Sequence, residues 1–134
     1  MNRKNKDDIL QLLSEHWMLG WPQSLDFDDG WNNHVYDGAL KLISIDREIK
    51  FEQIKEKFGL LRIYCTPSNK DIERKVRFLC GDIEKASAHI CERTGGFGQL
   101  MRRNGVYKTL SLSFIDEGWT PFGDPPFTNF IGQP

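Results

Sequence analysis

Between Gly59 and Pro67 the chain reads Leu60-Leu61-Arg62-Ile63-Tyr64-Cys65-Thr66, and directly behind it the apolar positions change period to Ile72, Val76, Leu79, Ile83, Ala86 and Ile90. The first run is β-branched and aromatic between two chain breakers, the pattern of a central strand. The second alternates steps of four and three residues, the apolar face of a long helix running to about Glu92, with Ser68 or Asn69 as its cap. A strand followed at once by a helix that needs a surface to cover points to an α+β layer. Gly81 interrupts the helical stripe at a cost of about 1 kcal/mol relative to alanine, which makes Cys80 to Asp82 the place for a kink.

Two more helices are expected upstream. Ile9, Leu12, Leu13, His16 and Trp17 share one helical face behind Asp7 and Asp8, whose carboxylates complement the positive end of a helix dipole. Gly20-Trp21-Pro22 ends that helix, and a loop follows to about Asp29. Trp31, Val35, Ala39, Leu42 and Ile43 form the next stripe, to about Ser44, with Asp28 or Asp29 placed to cap it. Ile49 to Phe58 is compatible with strand or helix. As a strand it forms a hairpin with Leu60 to Thr66, turning near Lys57 to Gly59. Gln99 to Arg103 and Val106 to Ser113 flank Asn104-Gly105, the pair best suited to the two positive φ angles of a type I′ turn. The fold expected is a small, mainly antiparallel sheet packed with two or three helices. A basic lead over residues 1–6 precedes it, and an extended Pro/Gly/aromatic tail over residues 118–134 crosses the domain.

At 134 residues the chain fits one domain spanning 1–134, large enough to bury a core without disulfides or metal. Its 18 basic and 19 acidic side chains exclude a histone-like polyanion coat. No apolar run reaches the roughly 20 residues of a membrane span, and three sparse cysteines do not suit a secreted disulfide scaffold, so a cytoplasmic protein with no membrane partner is expected.

No catalytic constellation emerges. His16, His34 and His89 lie on three different expected helices; His16 reads as a core or partly buried residue, and His34 with Asp37 as an i, i+3 hydrogen-bonding pair of the helix surface. Gly95-Gly96-Phe97-Gly98 lacks the lysine and following helix of a phosphate loop, so no cofactor is expected. Arg74, Lys75 and Arg77, and again Arg102, Arg103 and Lys108, read as solvated faces, which leaves nucleic acid a minor expectation. The asymmetry is acidic: Met18 to Leu40 contains Asp26, Asp28, Asp29 and Asp37 and no lysine or arginine, interleaved with Trp21, Phe27, Trp31 and Tyr36. Aromatics anchor interfaces and carboxylates steer toward basic partners, so this is a candidate protein-binding face; the same residues equally describe a capped helix start with its core aromatics.

Asp29-Gly30-Trp31, the segment Gln53-Ile54-Lys55-Glu56-Lys57-Phe58-Gly59-Leu60-Leu61-Arg62-Ile63-Tyr64, and Cys91-Glu92-Arg93-Thr94-Gly95 with Lys108-Thr109-Leu110-Ser111 form a connected pattern. It resembles a family of small uncharacterised bacterial and phage proteins that join a QIKEKFGGLRFY-type segment to a CExCG…TLCxxC/H hairpin. The resemblance covers about Asp28 to Phe114. In that family the paired cysteines imply a zinc ribbon. The matching positions here are Cys91, Thr94, Ser111 and Phe114, so the resemblance implies a hairpin held by apolar packing, with no metal bound. Small, diverging bacterial families of this kind include immunity proteins and phage accessory proteins, an association rather than a derivation. With the acidic aromatic stretch it leads to the functional expectation: not an enzyme, but an immunity protein, of the kind found in contact-dependent growth inhibition, that occludes the active site of a cognate toxin. A nuclease toxin is foremost, because its substrate groove is basic. The expected contacts are Trp21, Asp26, Asp28, Asp29, Trp31 and Asp37. The alternative is a nucleic-acid-associated phage or regulatory protein descended from a zinc ribbon, using Arg102, Arg103 and Lys108. The sequence leaves the oligomeric state open.

Overall fold

A hairpin and a helix laid across it organise the chain. β2 (Lys50–Lys57) and β3 (Leu60–Thr66) pair antiparallel, with Ile54 opposite Ile63. Phe58 and Gly59 make the turn at φ of 54° and 88°, the doubly left-handed conformation that matches the strands' twist. The ambiguous segment is thus a strand, with an irregularity between Phe51 and Gln53 that lets both Phe51 and Ile54 point into the core. α3 (Lys70–Ser87) covers β3, burying Val76 and Ile83, and is capped by Asn69, whose side chain accepts from the Ile72 N–H. Ser68 instead ties the helix entrance to Asp46, donating its N–H and hydroxyl to that carboxylate at 2.8 and 2.6 Å. The helix runs through Gly81 without interruption and stops at Ser87 rather than near Glu92. The Ser87 hydroxyl accepts from the Leu61 N–H, which locks the helix end onto β3.

The coordinates form a computed structural model that describes residues 3–122. α1 (Lys6–Leu12) opens with a reciprocal cap between Asn5 and Asp8 and is followed by the two-residue β1 (Leu25–Asp26). A 3₁₀ helix (Asp29–Trp31) leads into α2 (Asn32–Ile45). β4 (Gln99–Arg103) and β5 (Val106–Leu110) form the second hairpin, with Asn104 and Gly105 both at positive φ as expected of a type I′ turn. A second 3₁₀ helix (Leu112–Glu117) and β6 (Thr120–Pro121) complete the described chain.

The α+β class is as expected, and the strands fall into two three-stranded sheets of order β1-β2-β3 and β5-β4-β6. One pairing, β1 beside β2, is parallel. The first sheet, α1, α2 and α3 share the main core around Trp31, Phe51, Leu42 and Leu61; Cys91, Met101, Leu110 and Trp119 form a second cluster under the other sheet. A buried bond from the Thr109 hydroxyl to the Gly59 carbonyl, 2.7 Å, joins the two.

Three further expectations change. α1 ends at Leu12 because the chain then extends: Phe51 donates to the His16 carbonyl and Met18 to that of Phe51, so Trp17 enters the core from a strand-like bridge. Residues 25–26, expected as loop, form β1. Residues 112–113 turn into the 3₁₀ helix instead of extending β5. Of the expected tail, Trp119 is buried and β6 pairs with β4, while Phe127 and Phe130 lie outside the described residues. Among the described residues no helix is long and apolar enough to cross a membrane.

Candidate functional site: an acidic segment braced by Glu92

The stretch from Asp26 to Trp31 is short and irregular, so its shape depends on what holds it from beneath. β1 fixes one end, with Asp26 paired in register with Lys55 and its side chain outward. Phe27 is buried, with the Lys6 ammonium 4.3 Å above its ring. The Asp28 N–H donates to Glu92 Oε2 at 3.0 Å, and the Trp31 indole N–H donates to the Ile90 carbonyl at 2.7 Å. Between those bonds Gly30 lies against the backbone of Cys91 and Glu92, so closely that a Cβ there would fall 2.4 Å from both carbonyl oxygens. The residue types follow from this contact: glycine because no side chain fits, tryptophan because its ring fills the core while its one donor reaches an otherwise unpaired carbonyl.

Glu92 is the brace. It is 1% exposed, and its other oxygen receives the Lys108 ammonium at 3.2 Å, with Glu56 on the far side of that lysine at 3.9 Å. Burial pushes the Glu92 carboxyl above its usual range, against the opposing pull of the Asp28 N–H and Lys108. At the surface, hydrogen bonding and charge from Lys6, 2.8 Å away, with a bond from Asn32, hold Asp29 below the usual carboxylate range. Two clefts flank the segment. One, of about 510 Å³, is lined by Lys6, Phe27, Asp28, Asp29 and Arg93; the other, of about 250 Å³, by Arg3, Asp29, Gly30, Asn33, Thr94 and Gly95.

Of the expected contact residues, Asp26, Asp28 and Asp29 are brought together as an exposed run, Asp37 is exposed on α2, and Trp21 is 46% exposed in the turn after Leu19. Trp31 requires correction: it is 0% exposed and belongs to the core, so its ring cannot meet a partner. Neither Asp28 nor Asp29 caps α2 directly, because the 3₁₀ helix intervenes and α2 starts at Asn32. The basic lead folds back over the acidic stretch, with Lys6 on Asp29 and Lys4 4.4 Å above the Tyr36 ring. Glu92 itself escaped sequence reasoning, since a lone glutamate inside a degenerate cysteine motif carries no local sign that it will be buried.

The remaining candidates are structural. His34 donates through Nε2 to the Ile83 carbonyl at 2.8 Å, which pins α2 to α3 instead of engaging Asp37. His16 is partly buried, with Nδ1 3.0 Å from the Ile49 carbonyl. Lys108 is spent on Glu92, Arg103 reaches the Glu117 carbonyl and lies over Trp119, and Arg102 lies over Phe122. At the zinc-ribbon positions, Cys91 Sγ accepts from the Thr94 N–H at 3.4 Å, and Phe114 packs on the cluster around Cys91. Burial raises the Cys91 thiol, but hydrogen bonds from Thr94, Ser111 and Arg93 outweigh it and leave the thiol below its usual range. One sulfur and an aromatic ring at these positions make a donor set that does not fit zinc. Among the described residues no cluster of three or more His, Cys, Asp or Glu could hold a metal.

No family model matches this chain, and no curated protein or solved structure does.

Proposed function

We propose that the protein is a non-catalytic binding protein, an immunity protein of the cytosol that neutralises a cognate toxin by covering its active site. The observation that supports this reading is the exposed run Asp26, Asp28 and Asp29, held from beneath by the Glu92 carboxylate and the Gly30 contact. A segment already fixed in one conformation loses little entropy when it docks, so its carboxylates contribute their attraction in full. Asp26, Asp28 and Asp37 stand in no ion pair among the described residues and are available to lysines and arginines of a nuclease groove, with Trp21 beside them in sequence as an apolar anchor. Lys6 offsets Asp29, so Asp29 acts chiefly by shaping the segment.

The test is a tagged pull-down from the strain that encodes the chain, with the recovered partner then produced in cells lacking this protein. A stoichiometric partner that kills those cells, and is silenced when this chain is co-produced, supports the reading. Recovery of nucleic acid alone, or a partner harmless on its own, refutes it.

A further inference from the structure

The outward face of α3 presents a seam that nothing in the described chain covers. Phe78 stands at its centre, 73% exposed, beside a groove of about 680 Å³ between α3 and the end of α2, lined by Ile45, Asp71, Arg74, Lys75, Phe78, Leu79 and Asp82. Phe78 is not isolated there, since Ile45 and Leu79 line the same groove and give it an apolar floor between charged walls. None of the acidic-segment residues lines this groove.

The order of charges along the seam selects the occupant. Asp71, Arg74, Phe78, Asp82 and Lys85 recur on one side of the helix, and among the described residues none of the four charged ones sits in an ion pair, whereas neighbouring Arg77 and Glu84 do. When two copies of such a helix cross antiparallel about a two-fold axis at Phe78, a residue n places before the axis meets the residue n places after it on the other chain. Arg74 then faces Asp82 of the partner subunit, and Asp71 faces Lys85 of the partner subunit. Symmetry repeats both contacts, and all are attractive. A parallel arrangement would place each charge beside its own copy, which is repulsive at every position. The two phenylalanines meet on the axis, each beside the other chain's Ile45 and Leu79.

From this register we infer that the α3 face is a self-complementary interface and that the protein forms an antiparallel two-fold dimer through it. Sedimentation equilibrium over a wide concentration range tests the inference. The wild type is expected to sediment at twice the chain mass. Arg74→Asp and Asp82→Arg, each acting twice across the axis, should each weaken the dimer roughly tenfold, and the combined R74D/D82R variant should restore it, since the swap returns opposite charges to both contacts. Phe78→Asp should leave a folded monomer, because the ring is mostly in water in the single chain. A wild type that stays monomeric at all concentrations overturns the inference, and so does open-ended association. A dimer indifferent to Phe78→Asp, or one that the charge swap does not rescue, places the contact elsewhere and overturns it equally.

Discussion

Replacing Gly30 by alanine should destabilise the protein by about 3 kcal/mol, whereas the same exchange at Gly81 should stabilise it. At Gly30 the new methyl would lie 2.4 Å from the carbonyl oxygens of Cys91 and Glu92 and 2.5 Å from a carbonyl carbon, where ordinary contact begins near 3.4 Å. The obstacle is backbone, so either the Asp28–Trp31 segment or the 90–92 strand of chain must retreat by about 1 Å. That displacement stretches the two bonds on either side of the glycine, from the Asp28 backbone N–H to Glu92 at 3.0 Å and from the Trp31 indole N–H to the Ile90 carbonyl at 2.7 Å. Their loss costs ~1 kcal/mol each, more for the one to a carboxylate, and the residual overpacking about another 1 kcal/mol. For a domain of this size the midpoint of thermal unfolding falls by roughly 10 °C. Gly81 lies inside α3 with nothing within 4 Å of an added Cβ, so alanine there gains about 1 kcal/mol of helix propensity and a few degrees of Tm. Circular dichroism melts of the two variants beside wild type make the comparison. Equal melting temperatures for Gly30→Ala and wild type would refute the close packing of the acidic segment on residues 90–92.

Removing the lysine partner of Glu92 by Lys108→Met should cost about 2 to 4 kcal/mol in urea unfolding, less than a fully dry pair because Lys108 keeps about a fifth of its surface in water. Because burial raises the folded-state pKa of Glu92 above its unfolded value, the folded chain holds the proton more tightly there. This group's contribution therefore favours folding at acid pH and declines as pH rises from the unfolded value near 4.5 through the raised one; Glu92→Gln should flatten that part of the stability profile, and an unchanged slope would count against it. Asp29 acts oppositely, its Lys6-lowered pKa adding stability above the ordinary carboxylate range that is lost as pH falls through the lowered value; NMR titration of the Asp29 carboxyl should show a midpoint that rises toward the ordinary value in Lys6→Met. Chelation with EDTA should leave the melting curve of the wild type unmoved, since one thiol cannot retain zinc at the 91–114 loop; a chelator-induced fall in Tm would contradict that reading.

The elements that sequence could specify are those whose signals are local. Asn69 before the longest stripe, Asn104-Gly105 between two short apolar runs, and the run Leu60 to Thr66 between breakers each carry their conformation in neighbouring residues. What escaped depends on contacts distant along the chain. β1 is two residues long and exists only because Leu25 meets Ile54, and α1 stops early because His16 and Met18 pair with Phe51. Helical spacing of His16 and Trp17 with Ile9 and Leu13 is satisfied equally by an extended segment that returns to the same core, so periodicity alone could not separate the two. At the candidate site the carboxylates were visible as composition. The burial of Trp31 was not, because an aromatic at the start of an amphipathic helix serves core and interface alike until its indole partner, the Ile90 carbonyl, is in place. Nor could charge counting show that Lys4 and Lys6 fold back onto the acidic stretch, since the pairing spans more than 20 residues.

The most direct test of the binding role is a protection assay in cells producing the recovered toxin together with either the wild-type chain or the Asp26→Lys/Asp28→Lys variant. Both side chains are exposed and outside any ion pair of the described residues, so the variant should fold as wild type does. The predicted result is survival with the wild type and loss of protection, by at least tenfold in plating efficiency, with the variant present at equal abundance. Full protection by the reversed chain would contradict the assignment of the acidic segment as the toxin-binding face.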